Sequence, residues 1–210
     1  MTKTPLGVIL LTGLLTLAGC GNDPSQVDYL QLGKEIGTQL RPSTESQEPL
    51  ASPAQAMAVT QGPLILVRPQ PDRQGAYLVW VRDNGPYRTY ATVTRESMVF
   101  RDGLVTATRG LGDDLMASDV TEVAALLRAG KSGQARREMQ FLNAGDETQT
   151  LSFTCAIAAA PDNSGMTEDC AAGDLRFRNS YVMDAAGRII SSTQWLSRQR
   201  GSAVMDVIRH

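Results

Sequence analysis

Three kinds of side chain in this sequence could do chemistry: the thiols of Cys20, Cys155 and Cys170, the adjacent carboxylates of Asp113 and Asp114, and the lone imidazole of His210. The imidazole belongs to the last residue, where no rigid neighbour can fix its orientation, which removes Ser-His-Asp and Cys-His arrangements. Glycoside hydrolysis needs two carboxylates facing each other across a cleft. Neighbours in sequence usually point apart, so "GLGDD" reads as a solvated loop or a helix start. No stretch matches the phosphate loop GxxxxGK[ST], and no metal-ligand cluster is visible. The expectation is a chain that is not an enzyme and carries no cofactor and no metal.

The thiols are more informative. Cys155 and Cys170 enclose "AIAAAPDNSGMTED", and in an oxidising compartment two such thiols pair. Metal ligation is the alternative, but no His or further Cys lies nearby to complete a tetrahedral site. A bridge around a loop of this length contributes about 3 kcal/mol in the chain-entropy picture, and it is expected to staple a long hairpin or Ω-like loop between two strands. Cys20 sits elsewhere. A single cation, Lys3, precedes the uncharged run 6–18. That run reaches only about 20 Å as a helix, short of the ~30 Å hydrocarbon core, so it reads as a signal peptide rather than a span. Its exit, Leu17-Ala18-Gly19-Cys20, resembles the bacterial lipobox. The resemblance implies cleavage before Cys20, a diacylglycerol on its sulfur and an acylated amine. An ordinary signal peptide with an accidental Cys is the bland alternative. Two or more chains anchor durably at about 0.8 kcal/mol per buried CH₂. Gly21, not Asp, follows the acceptor, which by the same resemblance implies the periplasmic face of the outer membrane.

The elements that must carry these groups follow from the rest of the chain. Residues 1–19 are the expected signal peptide, and 20–62 a lipidated tether. In that tether 26–40 form a helix with Val27, Leu30, Ile36 and Leu40 on one face, and 41–62 are a Pro/Ser-rich linker. Losing Lys3 with the signal leaves 19 basic residues against 22 acidic ones, a net charge of −3. That balance argues against nucleic acid as a partner. From residue 63 to 210, strand-length apolar stretches recur between turn signals. They are PLILVRP, GAYLVWVRD, YRTYATV, SMVF, LVTATRG, ARREMQFLN, ETQTLSFTCAIA, DLRFRNSYVMD, GRIISSTQWLS and SAVMDVIR. Asn84-Gly85 supplies a positive-φ turn, and "RDG" and "DAAGRI" are further turns. One helix interrupts the strands at "ASDVTEVAALLRAGK", with Asp119 as cap, Glu122 at capping-box spacing and Gly130 as stop. The fold expected is mainly β: a single antiparallel domain, barrel- or sandwich-like, with one or two short helices.

Two stretches then carry a family resemblance. "FRDGLVTATRGLGDDL" (100–115) and "NSYVMDAAGRIISSTQWLS" (179–197) resemble the YjbF/GfcB lipoproteins of group 4 capsule and exopolysaccharide production. Thr108, Gly110, Leu111, Asp114 and Leu115 occupy the Thr-x-Gly-Leu-x-x-Asp-Leu pattern, and Gln194 and Trp195 the late Gln-Trp strand. The resemblance implies a non-enzymatic accessory or assembly factor of polysaccharide secretion, fixed to the outer membrane beside other envelope proteins. The alternative is a carbohydrate- or lipid-binding β-domain with its site in a barrel or sandwich mouth. Aromatic faces meet polysaccharides, which makes Trp80, Trp195 and Tyr87 candidate glycan contacts. Strand alternation favours a core role for both tryptophans, since a chain with 5% aromatic residues needs their bulk.

Overall fold

In the strand β7 (Gly133–Leu142) every second side chain turns inward: Ala135, Arg137, Met139 and Phe141 are buried, while Gln134, Arg136, Glu138 and Gln140 face solvent. This two-residue period sets one face of the sheet against the core. The computed structural model describes residues 50–70, 74–142, 147–162 and 164–210. The expected signal peptide, Cys20 and the helix expected over 26–40 lie outside the described residues.

A short helix α1 (Pro53–Val59) comes first. It is followed by β1 (Leu64–Pro69), β2 (Ala76–Asn84), β3 (Tyr87–Ala91), β4 (Ser97–Arg101), β5 (Leu104–Arg109) and β6 (Leu115–Asp119). Helix α2 (Thr121–Arg128) leads into β7, then β8 (Thr148–Ala159), β9 (Met166–Ala172), β10 (Leu175–Met183), β11 (Ile189–Ser197) and β12 (Gly201–Arg209). All pairings are antiparallel, in the order β5-β4-β3-β2-β1-β12-β11-β10-β9-β8-β7-β6. The sheet curls so that its two edges, β5 and β6, lie side by side, giving a nearly closed twelve-stranded barrel. Near-closure leaves little exposed edge for a stray strand to pair with.

The interior is layered. Phe141, Phe153, Phe177 and Trp195 form an aromatic layer, with Phe177 and Trp195 stacked at 4.8 Å between centroids. Outside the barrel, Leu64, Leu66 and Tyr77 bury against Ala56 of α1, and the Tyr77 hydroxyl donates to the Ala51 carbonyl (2.9 Å). β2 therefore divides as alternation expects, with Leu78 and Trp80 on the main core and Tyr77 and Val79 under α1.

Several expectations need correction. The linker expected over 41–62 contains α1, whose Ser52 and Gln55 form a capping box. Two strands were not expected: β6, after "GLGDD", and β9, inside the segment between the cysteines. That segment reads as loop because Ala, Asp, Asn, Ser and Gly together dominate it, yet the partner strands supply the hydrogen bonds that propensity does not. At α2 the N-cap is Val120 without a side-chain cap. Asp119 instead accepts from Thr121 (N at 2.9 Å, Oγ1 at 2.7 Å), and Glu122 accepts the Arg136 amide (2.7 Å). At "RDNGPY" only Gly85 takes positive φ (57°). The turn with both residues at positive φ is Asp102-Gly103. There a Cβ on Gly103 would lie 2.8 Å from Cβ of Ile189.

Candidate functional site

The residues singled out by their chemistry separate into three places. The first is the β5–β6 seam. No ladder joins these strands, and side chains do the joining. Leu115 N donates to Thr108 Oγ1 (3.0 Å), and the Arg109 guanidinium donates to the carbonyls of Leu115 (3.0 Å) and Met116 (3.3 Å). Asp114 accepts from Thr108 Oγ1 (2.8 Å), Gly110 N (2.8 Å) and Leu111 N (3.1 Å), which folds the connecting loop back on itself. Asp113, at positive φ (52°), accepts the Gln199 amide from the β11–β12 turn (3.2 Å). Each of the two carboxylates thus holds backbone in place, and they serve different loops.

The second place is the middle of the barrel, where a charged pair lies that the sequence reading did not single out. The fully buried Arg137 donates to both oxygens of the fully buried Glu168 (3.1 and 3.0 Å), to Ser118 Oγ of β6 (3.2 Å) and to the Val105 carbonyl of β5 (3.2 Å). Glu168 also accepts from Asn179 Nδ2 (2.6 Å) and the Tyr181 hydroxyl (2.5 Å). Burial, and next the Glu168 carboxylate, push the Tyr181 hydroxyl well above the usual tyrosine range, so it stays a protonated donor. Asn179 accepts the Trp195 amide (2.7 Å) beyond the point where β10–β11 pairing ends. Gln194 crosses to β5, accepting from Val105 N (2.9 Å) and donating to the Gly103 carbonyl (2.8 Å). Edge-strand backbone that would face a dry interior unpaired is therefore satisfied by side chains from β7 and β11. A signal for this cluster was available in the strand parity. Arg137 shares its face with Ala135 and Met139, Glu168 with Met166 and Cys170, and Asn179 with Phe177 and Tyr181.

Cys155 and Cys170 are directly opposed on β8 and β9 and form a disulfide inside the barrel. It staples a hairpin, as expected, but one pair from the ladder end farthest from the turn, between paired strands and not around a loose loop. Their sulfurs and a Glu168 oxygen lie within 4.8 Å of one another. With the sulfurs bonded together and Glu168 held by Arg137, Asn179 and Tyr181, this trio offers no free metal ligand.

The third place is an open cavity of about 390 Å³ at the barrel end that carries α2 and the β2–β3, β4–β5 and β10–β11 turns. That volume falls in the range of small-molecule sites. Its walls are mostly apolar (Ile65, Phe100, Leu104, Leu127, Ile189 and Met205), with the hydroxyl-bearing Tyr90 and Ser192 also buried there. At the rim stand Arg88, Arg128, Arg188, Asp102 and His210. Arg128 donates to Asp102 (2.7 Å) and Arg188 to Asp184 (2.8 Å). Arg88 and the Trp80 indole both donate to Asp83 (3.1 and 2.9 Å).

The candidate glycan contacts do not assemble. Trp195 is buried in the aromatic layer, so it takes the core role and offers no face to a polymer. Trp80 is partly buried against the core, and Tyr87 is exposed on β3.

An antiparallel barrel held shut by side chains, with one mouth open, is the class of body these features define. Its sequence signature is architectural: Thr108, Asp114 and Gln194 close it, and Trp195 fills it. The chain belongs to the family of group 4 capsule polysaccharide lipoproteins gfcB/YjbF, whose model matches residues 37–207. In fold it is similar to the crystal structure of the hypothetical lipoprotein YmcC from Escherichia coli (K12). The TM-score is 0.59 at 13% identity, over 70% of this chain and 87% of that one. Among curated proteins nothing matches. Among the described residues no helix is long and apolar enough to cross a membrane.

Proposed function

We propose that this chain is a non-enzymatic, lipid-anchored accessory factor of capsule or exopolysaccharide secretion, held through Cys20 at the periplasmic face of the outer membrane, where it works beside other envelope proteins of that machinery. Family membership supports the process. The observation that carries the non-enzymatic part is the use made of the signature residues. Thr108, Gly110, Asp114 and Gln194 are engaged in joining β5 to its neighbours, and Trp195 in filling the barrel. A signature devoted to shape suits a scaffold whose surface or mouth is what partners meet.

The test is a clean deletion in the native host, scored by surface polysaccharide and complemented with the wild-type chain or with Cys20→Ala. The expected result is reduced surface polymer, restored by wild type and not by Cys20→Ala. Unchanged polymer in the deletion would sink the assignment to this process, and full rescue by Cys20→Ala would sink the anchored location. Purified protein is expected to leave capsular polymers uncleaved, and turnover lost in Asp113→Ala or Asp114→Ala would overturn that part.

A further inference from the structure

The mouth cavity has a chemistry that differs from the rest of the barrel interior. The central layer is polar and closed on itself, whereas the cavity walls are mainly aliphatic, aromatic and thioether side chains, with hydroxyls only on Tyr90 and Ser192. A saccharide brings hydroxyls on every side and would leave most of them without partners against such walls, at about 1–3 kcal/mol for each buried unsatisfied group. An alkyl or isoprenoid chain suits them. Met183 and Met205 are unbranched and adapt to an irregular chain. The rim has the opposite character. Three guanidiniums stand over the opening beside Asp102 and His210, each paired with one aspartate: Arg88 with Asp83, Arg128 with Asp102 and Arg188 with Asp184. The Arg128 and Arg188 side chains are 64% and 60% exposed. A guanidinium has five N–H donors, and the Asp102 and Asp184 contacts leave donors on each that can turn to an anion at the mouth. Ser192 adds one group in the wall. Its oxygen accepts from Gln194 Nε2 (3.0 Å), which keeps its own O–H available.

The geometry points to a binding site for a single-chain anionic amphiphile, with the apolar chain in the cavity and a phosphate or carboxylate head at the Arg88, Arg128 and Arg188 rim. This goes beyond the secretion role and stands independently of it.

The probe is dodecyl phosphate below its micelle concentration, titrated into the mature chain 20–210 carrying Cys20→Ser so that it is unacylated. Calorimetry reads stoichiometry and affinity, and methionine-methyl NMR reads location. Expected are one saturable site, shifts of the Met183 and Met205 methyls but not of Met139 in the sealed interior, and binding about tenfold weaker for dodecyltrimethylammonium. Arg128→Glu with Arg188→Glu is expected to weaken dodecyl phosphate by about tenfold, and Ala124→Phe, which fills the cavity, to abolish binding. Equal affinity for anion and cation, unmoved cavity methyls, or a titration without saturation would each overturn the site. If Ala124→Phe does not fold, the double rim variant and the methyl shifts decide by themselves, since both arginines are exposed.

Discussion

Replacing Arg137 by methionine tests the interior most directly, because that one side chain touches three other strands. Its guanidinium meets Val105 on β5, Ser118 on β6 and Glu168 on β9. Met fills most of the volume but leaves the Glu168 carboxylate buried with only Asn179 and Tyr181 as donors. Breaking a fully buried pair from one side costs about 3–5 kcal/mol, a large part of the roughly 5–15 kcal/mol that holds a domain together. At a urea slope of about 2 kcal/mol/M, the midpoint should fall by about 2 M. Removing the second charge as well, in Arg137→Met with Glu168→Leu, eliminates the orphaned carboxylate and should recover a good part of that loss. The assay is urea unfolding followed by circular dichroism and tryptophan fluorescence under oxidising conditions, completed as a double-mutant cycle. Hydrogen exchange should show β5 amides opening faster in the single variant, since Arg137 holds that edge from inside. A single variant within about 1 kcal/mol of wild type, or two single losses that simply add, would refute the view of Arg137 as the rivet of the seam.

Other outcomes follow from the same structure. Gly165→Ala should lose at least about 3 kcal/mol, or fail to fold, because the new Cβ would stand 1.9 Å from the Tyr181 carbonyl oxygen at a φ of +156°; thermal unfolding reads this. Cys155→Ala with Cys170→Ala should lower stability by about 3 kcal/mol, the value for a loop near the 15-residue separation seen here, measured by urea unfolding against the oxidised wild type. Alkali should unfold the protein as pH rises past about 10, where an unfolded tyrosine ionises while folded Tyr181 keeps its proton. The stability linked to Tyr181 is complete below that pH and is lost above it, so tyrosinate absorbance should rise together with loss of ellipticity. Acid acts on Asp119 and Asp184, whose carboxyls are held below the usual range by hydrogen bonds from Thr121 and from the Arg188 backbone. Their contribution is present above about pH 4 and disappears as pH falls further, visible as a lower melting temperature.

The strand pattern, the α2 helix, the disulfide partners and the family signature were all legible in the sequence, because each depends on near neighbours or on redox setting. Two-residue alternation gave most strands, and Leu78 with Trp80 lie on the face that alternation assigns them. β6 and β9 were not legible, since their residues are poor strand formers and pair only because β7, β8 and β10 lie alongside. The meaning of the signature was hidden for the same reason. Thr108, Asp114 and Gln194 act between strands far apart in sequence, and Val105 meets Gln194 across 89 residues.

The sequence by itself determined a mainly β antiparallel body, a disulfide and a family membership, all written in local pattern. Only the tertiary structure decided that the sheet closes on itself, that Arg137 and Glu168 meet in the dry middle, and that one end stays open as an apolar cavity under a ring of arginines. Closure is a property of twist and register summed over twelve strands, and a buried ion pair between β7 and β9 exists only once that sum has brought their inward faces together.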